Sequence, residues 1–195
     1  MSRVNLIQGT QAWLEYRYNH VTATDISSIM ALSPFKCAIV LFEEKTGLRE
    51  IVITEKMKAG SSMEPLALQQ FIEETKLNVK PAVLVSDSHP FLMASVDGIS
   101  DDGKHLVEIK CGTRAYKEAS KGIIAGYYNA QMQAQLFVCE LDEMSFYCFN
   151  GTHGILQTVE RDPDFIYKTL ISAKKFYDDL IDLSEPTIEC DIFNY

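Results

Sequence analysis

The chain has 195 residues, of which 47% are hydrophobic and 23% charged, and a formal net charge of -9. That balance belongs to a globular protein long enough to bury a core, and it excludes a surface coated throughout with cations for nucleic acid. A local basic patch stays compatible with the charge, because contacts to a polyanion need only a patch.

Helical periodicity with start signals appears first over Thr10 to Tyr18 and again over Thr24 to Met30. A third helix is predicted from about Lys36 to Lys45, stopping at Gly47, and a longer one from about Lys56 to Thr75. Next comes a β-rich block, with strands at Val79 to Val85, Phe91 to Ile99 and His105 to Cys111. A short helix (Thr113 to Lys121) and a stronger one (Gly126 to Glu140) follow. Two strands, Met144 to Phe149 and Ile155 to Glu160, are joined through Asn150-Gly151, and a helix from Asp162 to Leu183 closes the chain. This order predicts an α/β fold, a central mixed β-sheet flanked by helices, in one domain over residues 1–195.

The five cysteines are widely spaced and contain no Cys-x-x-Cys pair. That speaks against a zinc site or an iron–sulfur cluster and for reduced thiols. There is no signal-peptide core and no apolar run of membrane-spanning length, so a soluble cytoplasmic protein with no membrane partner is expected. The four histidines have no paired ligand spacing and read as structural.

The stretch "SVDGISDDGKHLVEIKCG" (residues 95–112) holds two Asp-Gly pairs. Asp102-Gly103 is the better turn, since it separates two runs of strand formers. Asp97-Gly98 then falls near the end of the first strand. By strict alternation Ser95 and Asp97 share one face, and Glu108 and Lys110 share a face of the partner strand, while Val107, Ile109 and Cys111 point to the core. Such a hairpin can bring Asp97, Glu108 and Lys110 together at one end of the sheet.

Two carboxylates can hold hard divalent cations, with the Ile109 carbonyl as a further oxygen. A cation there makes water a better nucleophile toward a phosphodiester and neutralises charge in the transition state. Lys110 can orient or deprotonate the water, or stabilise developing negative charge. The bland alternative is a solvated Glu-x-Lys beside an ordinary turn. From Lys104 to Lys121, however, five basic residues face two acidic ones, with Arg114, Lys117 and Lys121 at helical spacing. That stripe suggests a polyanionic substrate. Tyr128, Gln131 and Gln135 share one face of the next helix, where Gln131 either satisfies the helix's polar side or serves a phosphate or the attacking water.

With these residues in place the chain resembles the PD-(D/E)xK nuclease superfamily and, within it, the lambda-exonuclease-like phage recombination exonucleases. The resemblance runs from about residue 8 to 150 and rests on an ordered set of motifs: "GTQAWLEYR", "VTAT", "GSSME", Ser-x-Asp-Gly, Glu-x-Lys and "YNAQMQ". It implies that Asp97 and Glu108 are metal ligands with the Ile109 carbonyl beside them, that Lys110 is the catalytic lysine, and that Glu64 is a further metal or water ligand. Arg17, Thr24, Ser95 and Gln131 match positions holding the terminal 5′-phosphate or the scissile strand, and Arg114 joins them as a DNA contact on its basic stripe. Trp13 is expected in the core. Val96 stands where the superfamily carries proline, and Thr24 where a serine is usual.

The resemblance implies an Mg²⁺-dependent (or Mn²⁺-dependent) enzyme that digests one strand of linear duplex DNA from the 5′ end, leaving 3′ tails for recombination. It also implies a homotrimeric ring and a single-strand annealing protein as partner. Two rivals are a structure-specific DNA endonuclease on the same core and a non-catalytic DNA-end-binding module. An endonuclease has no end to grip, and a binding module would be expected to have lost a carboxylate or the lysine.

Overall fold

The computed structural model describes residues 1–52 and 54–186. The chain opens on a short strand, β1 (Ser2–Val4), and then α1 (Gln11–Tyr18), which starts where the Thr10 side chain accepts a hydrogen bond from the Trp13 amide. A two-residue strand, β2 (Val21–Thr22), leads into a 3-10 turn (Ala23–Asp25) and a single-turn helix, α2 (Ile26–Ile29). Next are α3 (Ala38–Lys45) and α4 (Glu55–Thr75). The sheet then builds through β3 (Val79–Val85), β4 (Leu92–Ser100) and β5 (Leu106–Cys111). Two helices, α5 (Thr113–Ala119) and α6 (Gly126–Cys139), precede β6 (Glu143–Phe149), β7 (Gly154–Glu160) and α7 (Pro163–Ile181).

One seven-stranded sheet runs in the order β1-β3-β4-β5-β6-β7, with β2 also paired to β4. Two of its pairings are parallel, β5 with β6 and β2 with β4, and the rest are antiparallel. Parallel neighbours need a crossover, and α5 with α6 supplies it between β5 and β6. The expected mixed sheet with flanking helices is therefore the fold. The expected elements are all found, while β1 and β2 are too short to announce themselves by alternation. "GSSME" lies inside α4, which begins at Glu55 and carries Pro65 in its interior.

Both faces of the sheet are covered. On one face Leu106, Phe146 and Cys148 join Met132, Leu136 and Ala130 of α6 in the main core. On the other, Val79, Val107, Ile109, Tyr147 and Phe149 pack with Ala67 and Phe71 of α4. The face bearing Glu108 is thus roofed by a helix, and Glu108 is only 2% exposed. Asp102-Gly103 forms the turn between β4 and β5, with Gly103 at φ +73° and its N–H donating to the Ser100 carbonyl.

Alternation along β4 is broken where it matters. Lys80 pairs with Ile99 but Ala82 with Val96, so β4 carries one extra residue at Asp97-Gly98, opposite Pro81. Proline cannot donate to the ladder, and a β-bulge re-aims the side chains beside it. The Gln8 amide donates to both carbonyls left at the bulge, Ala82 at 3.1 Å and Val96 at 2.9 Å. The face assignment by strict alternation therefore holds along β5 and fails across Asp97.

Among the described residues Cys111, Cys139 and Cys148 are free thiols, and Cys190 lies outside the described residues. No helix among the described residues is long and apolar enough to cross a membrane.

Candidate active site

β3 occupies one edge of β4, while β2 and β5 share the other: β2 pairs at Leu92 and Met93, β5 only at Gly98 and Ile99. Between them, among the described residues, β4 has no strand partner on that edge over residues 94–97, and β4 and β5 part like a fork. Asp97 sits in the crotch. Its carboxylate, through Oδ2, accepts the Ile109 N–H at 2.7 Å where a ladder carbonyl would otherwise stand. The observed contact from Ile109 is thus its N–H, and it ties the two carboxylate-bearing strands together.

Glu108 is held from α6. Its Oε1 accepts from the Lys110 ammonium at 2.5 Å and from Gln131 Nε2 at 2.6 Å, and its Oε2 from Gln135 Nε2 at 2.6 Å. Lys110 also donates to Gln131 Oε1 at 3.3 Å and lies 5.2 Å from the centre of the Tyr128 ring. A buried carboxylate must be hydrogen-bonded or it costs several kcal/mol, about 3–5 when a partner is lost. Here three donors meet that need, two of them amides at i and i+4 on one helix face.

Asp97 has less help. Burial, and then the charge of Glu108, push its carboxyl well above the usual range, with Lys110 and the Ile109 N–H pulling the other way. Burial works against the Lys110 ammonium, but Glu108 and Asp97 outweigh it and the net shift is upward. The ammonium of Lys110 thus sits against Glu108 and beside Asp97, where it can orient a nucleophile or stabilise negative charge. Burial also raises Glu64, helped by Glu108 and opposed by Lys110. Burial pushes the thiols of Cys111 and Cys148 up to about 11 and about 12, which leaves them poor nucleophiles.

The donor set suits a hard divalent cation. Two carboxylates lie close enough to raise one of them, and a bound cation removes that repulsion. Asp97 and Glu108 are the residues that would hold it. Glu64 is near enough to sense both, yet among the described residues no three His, Cys, Asp or Glu side chains form a group that could hold a metal. Water would complete the coordination, as Mg²⁺ prefers.

Of the other expected residues, Ser95 Oγ accepts from Trp13 Nε1 at 2.8 Å, and the Arg17 guanidinium stacks 4.6 Å from the centre of the Trp13 ring. Trp13 is therefore half-buried in a chain of contacts running from α1 to β4, not in the core. Thr24 is exposed in the 3-10 turn. Arg114 is exposed on α5 and paired with Glu118 at 3.1 Å. With Thr113, Lys117 and Lys121 this pair lines an open hollow of about 350 Å³. The structure joins Glu108, Lys110 and Gln131 directly, ties Asp97 to them through the Ile109 N–H, and brings neither Thr24 nor Arg114 into that network among the described residues. Gln135 is the site residue not assigned a role from sequence; its i+4 spacing from Gln131 was the available signal.

The profile of a family described as the YqaJ-like viral recombinase domain matches residues 12–142. An uncharacterized protein (R354) of Acanthamoeba polyphaga mimivirus is 29% identical over 155 residues, covering 71% of this chain and 28% of its own length. Uncharacterized protein YqaJ of Bacillus subtilis is 26% identical over 178 residues, covering 87% of this chain and 56% of its own. The chain thus spans about a quarter and just over half of these two curated relatives. In fold it is similar to LHK-Exo, an alkaline exonuclease from Laribacter hongkongensis, with a TM-score of 0.76 at 24% identity over 89% of this chain and 94% of that one. A phage related exonuclease from Haemophilus somnus gives a TM-score of 0.60 at 15% identity, over 84% and 96% of the two chains.

Proposed function

Because the chain belongs to the YqaJ-like viral recombinase domain family, we propose that it is a metal-dependent exodeoxyribonuclease that digests one strand of linear duplex DNA from the 5′ end and leaves 3′ tails for recombination. The observation that carries this reading is the meeting of Asp97, Glu108, Lys110 and Gln131 at the fork between β4 and β5. An Mg²⁺ or Mn²⁺ ion on Asp97 and Glu108 would neutralise phosphate charge and make water a better nucleophile. Lys110 lends its ammonium to charge developing on the phosphate, or orients or deprotonates the attacking water. Gln131 and Gln135 hold Glu108 in orientation. Arg17, with its planar fork, takes the terminal phosphate together with Thr24 and Ser95, and the α5 stripe at Arg114 tracks the backbone.

A homotrimeric ring with a basic bore and an acidic outside would reconcile the net charge of -9 with a polyanionic substrate. An annealing protein in the cytoplasm would take up the 3′ strand. The whole chain, residues 1–195, acts as one nuclease domain in this reading.

The test uses linear duplex with 5′-phosphate or 5′-hydroxyl ends, with Mg²⁺ or EDTA, and compares the wild type with Lys110→Ala. Mg²⁺-dependent release of mononucleotides, faster from phosphorylated ends and lost in the variant, is the expected result. Cutting of closed circles would transfer the reading to an endonuclease, and binding of ends without cleavage would transfer it to a non-catalytic module.

A further inference from the structure

We propose that Lys45 is a positioning residue for the grip on the DNA end, acting through the backbone of Arg17 and through Asp25. The inference rests on the reading of Arg17 and Thr24 as holding the 5′ terminus.

Lys45 is the last residue of α3, and its side chain is only 6% exposed. An ammonium has three N–H donors, and each is taken: by the Arg17 carbonyl at 2.8 Å, the His20 carbonyl at 2.8 Å and Asp25 Oδ2 at 2.9 Å. The two carbonyls lie at the C-terminal end of α1, the negative end of a helix, where a cation is favoured. Asp25 Oδ2 also accepts the Thr22 N–H at 2.8 Å, and Thr22 Oγ1 accepts the Asp25 N–H at 3.3 Å. That reciprocal cap starts the 3-10 turn in which Thr24 sits.

One buried ammonium therefore pins the backbone of Arg17 and the turn of Thr24 to the same point. The Arg17 guanidinium rests on Trp13, and Trp13 reaches Ser95 on β4, so the clamp extends to the edge of the fork. A buried ion pair is a poor source of stability, since desolvation offsets most of the attraction. Fixing geometry is the better account of this one. Nothing in the sequence pattern points to it, because Lys45 is 20 positions from Asp25 and 28 from Arg17.

The test measures initial rates on duplexes with 5′-phosphate and 5′-hydroxyl ends for wild type, Arg17→Ala, Lys45→Met and the double variant Asp25→Asn/Lys45→Met, each shown folded by thermal melting. The double variant removes both charges and keeps the experiment decisive where Lys45→Met fails to fold. The expected result is a phosphate-to-hydroxyl rate ratio falling to within about twofold of that of Arg17→Ala, through a KM on phosphorylated ends raised about tenfold or more. Loss of rate on both ends alike keeps the ratio, and that outcome overturns the proposal. If Arg17→Ala itself keeps the wild-type ratio, the reading of Arg17 as the phosphate grip fails and the Lys45 inference goes with it. If Arg17→Ala loses the ratio and the Lys45 variants retain it, only the inference falls.

Discussion

Gly98→Ala tests whether the fork between β4 and β5 depends on the absence of a side chain beside Asp97. A Cβ at this position would lie 2.8 Å from Val107 Cγ1 and 2.8 Å from Val79 Cγ2, with Val79 Cβ at 3.1 Å. Carbon atoms pack at about 3.5–4.0 Å, so two contacts are short by roughly 1 Å. Both valines are buried, Val107 at 0% and Val79 at 2% exposure, and their branched side chains have little rotamer freedom. The strands must therefore move apart. Overpacking of this kind costs about 1–3 kcal/mol, against a gain of about 0.4–1 kcal/mol from stiffening the unfolded chain.

A net loss of about 1–2 kcal/mol is expected, which at an m-value of about 2 kcal/mol/M lowers the urea midpoint by about 0.5–1 M. Gly98 is also one of only two residues at which β4 pairs with β5. Displacement approaching 1 Å at the neighbouring Asp97 costs about a hundredfold in rate. Equilibrium urea unfolding of Gly98→Ala, Val107→Ala and the double variant reads the effect. The pair should cost about 1 kcal/mol less than the sum of the singles, since Val107→Ala clears space for the new methyl. A Gly98→Ala protein as stable as wild type, or strict additivity, would refute the reasoning.

Gln135→Leu removes the donor from Glu108 Oε2; the Mg²⁺ concentration for half-maximal nuclease rate should rise about tenfold or more, and an unchanged metal titration would count against the role given to Gln135. Gly154→Ala places a Cβ 1.9–2.4 Å from Oη, Cζ and Cε2 of Tyr147, whose ring is fully buried against Phe71 and Phe149. Expelling that ring should cost about 3–5 kcal/mol by thermal or urea unfolding, and a loss under 1 kcal/mol would show that the ring has room to turn. Asp25 is buried, and although burial alone would raise it, Lys45 and Arg17 carry its pKa below the ordinary 3.8. A depressed carboxylate contributes stability that is full above the unfolded value and is lost as pH falls through the lower folded one. The stability gap between wild type and Asp25→Asn should therefore be constant from pH 7 to about 5 and shrink as pH falls below about 4; a gap that widens on acidification would reverse the assignment.

The sequence by itself determined the element order, the mixed sheet, the turn at Asp102-Gly103 and the place of Glu108 and Lys110 on one face of β5. Those features are local: periodicity, turn residues and spacing along one strand or one helix express them directly. It also carried Gln131 and Gln135 to one helix face, because i and i+4 coincide in any helix. What those amides face, and the roofing of Glu108 by α6, came only with the crossover that lays α6 over β5 and β6. The bulge at Asp97 escaped alternation because it depends on Pro81 in the neighbouring strand. Trp13 reads as core by residue type alone; only the approach of α1 to β4 gives its indole N–H a partner in Ser95 and its face to Arg17. Lys45 illustrates the same limit. Its three partners come from two other segments of the chain, and burial of their polar groups together is a property of packing that no single segment carries.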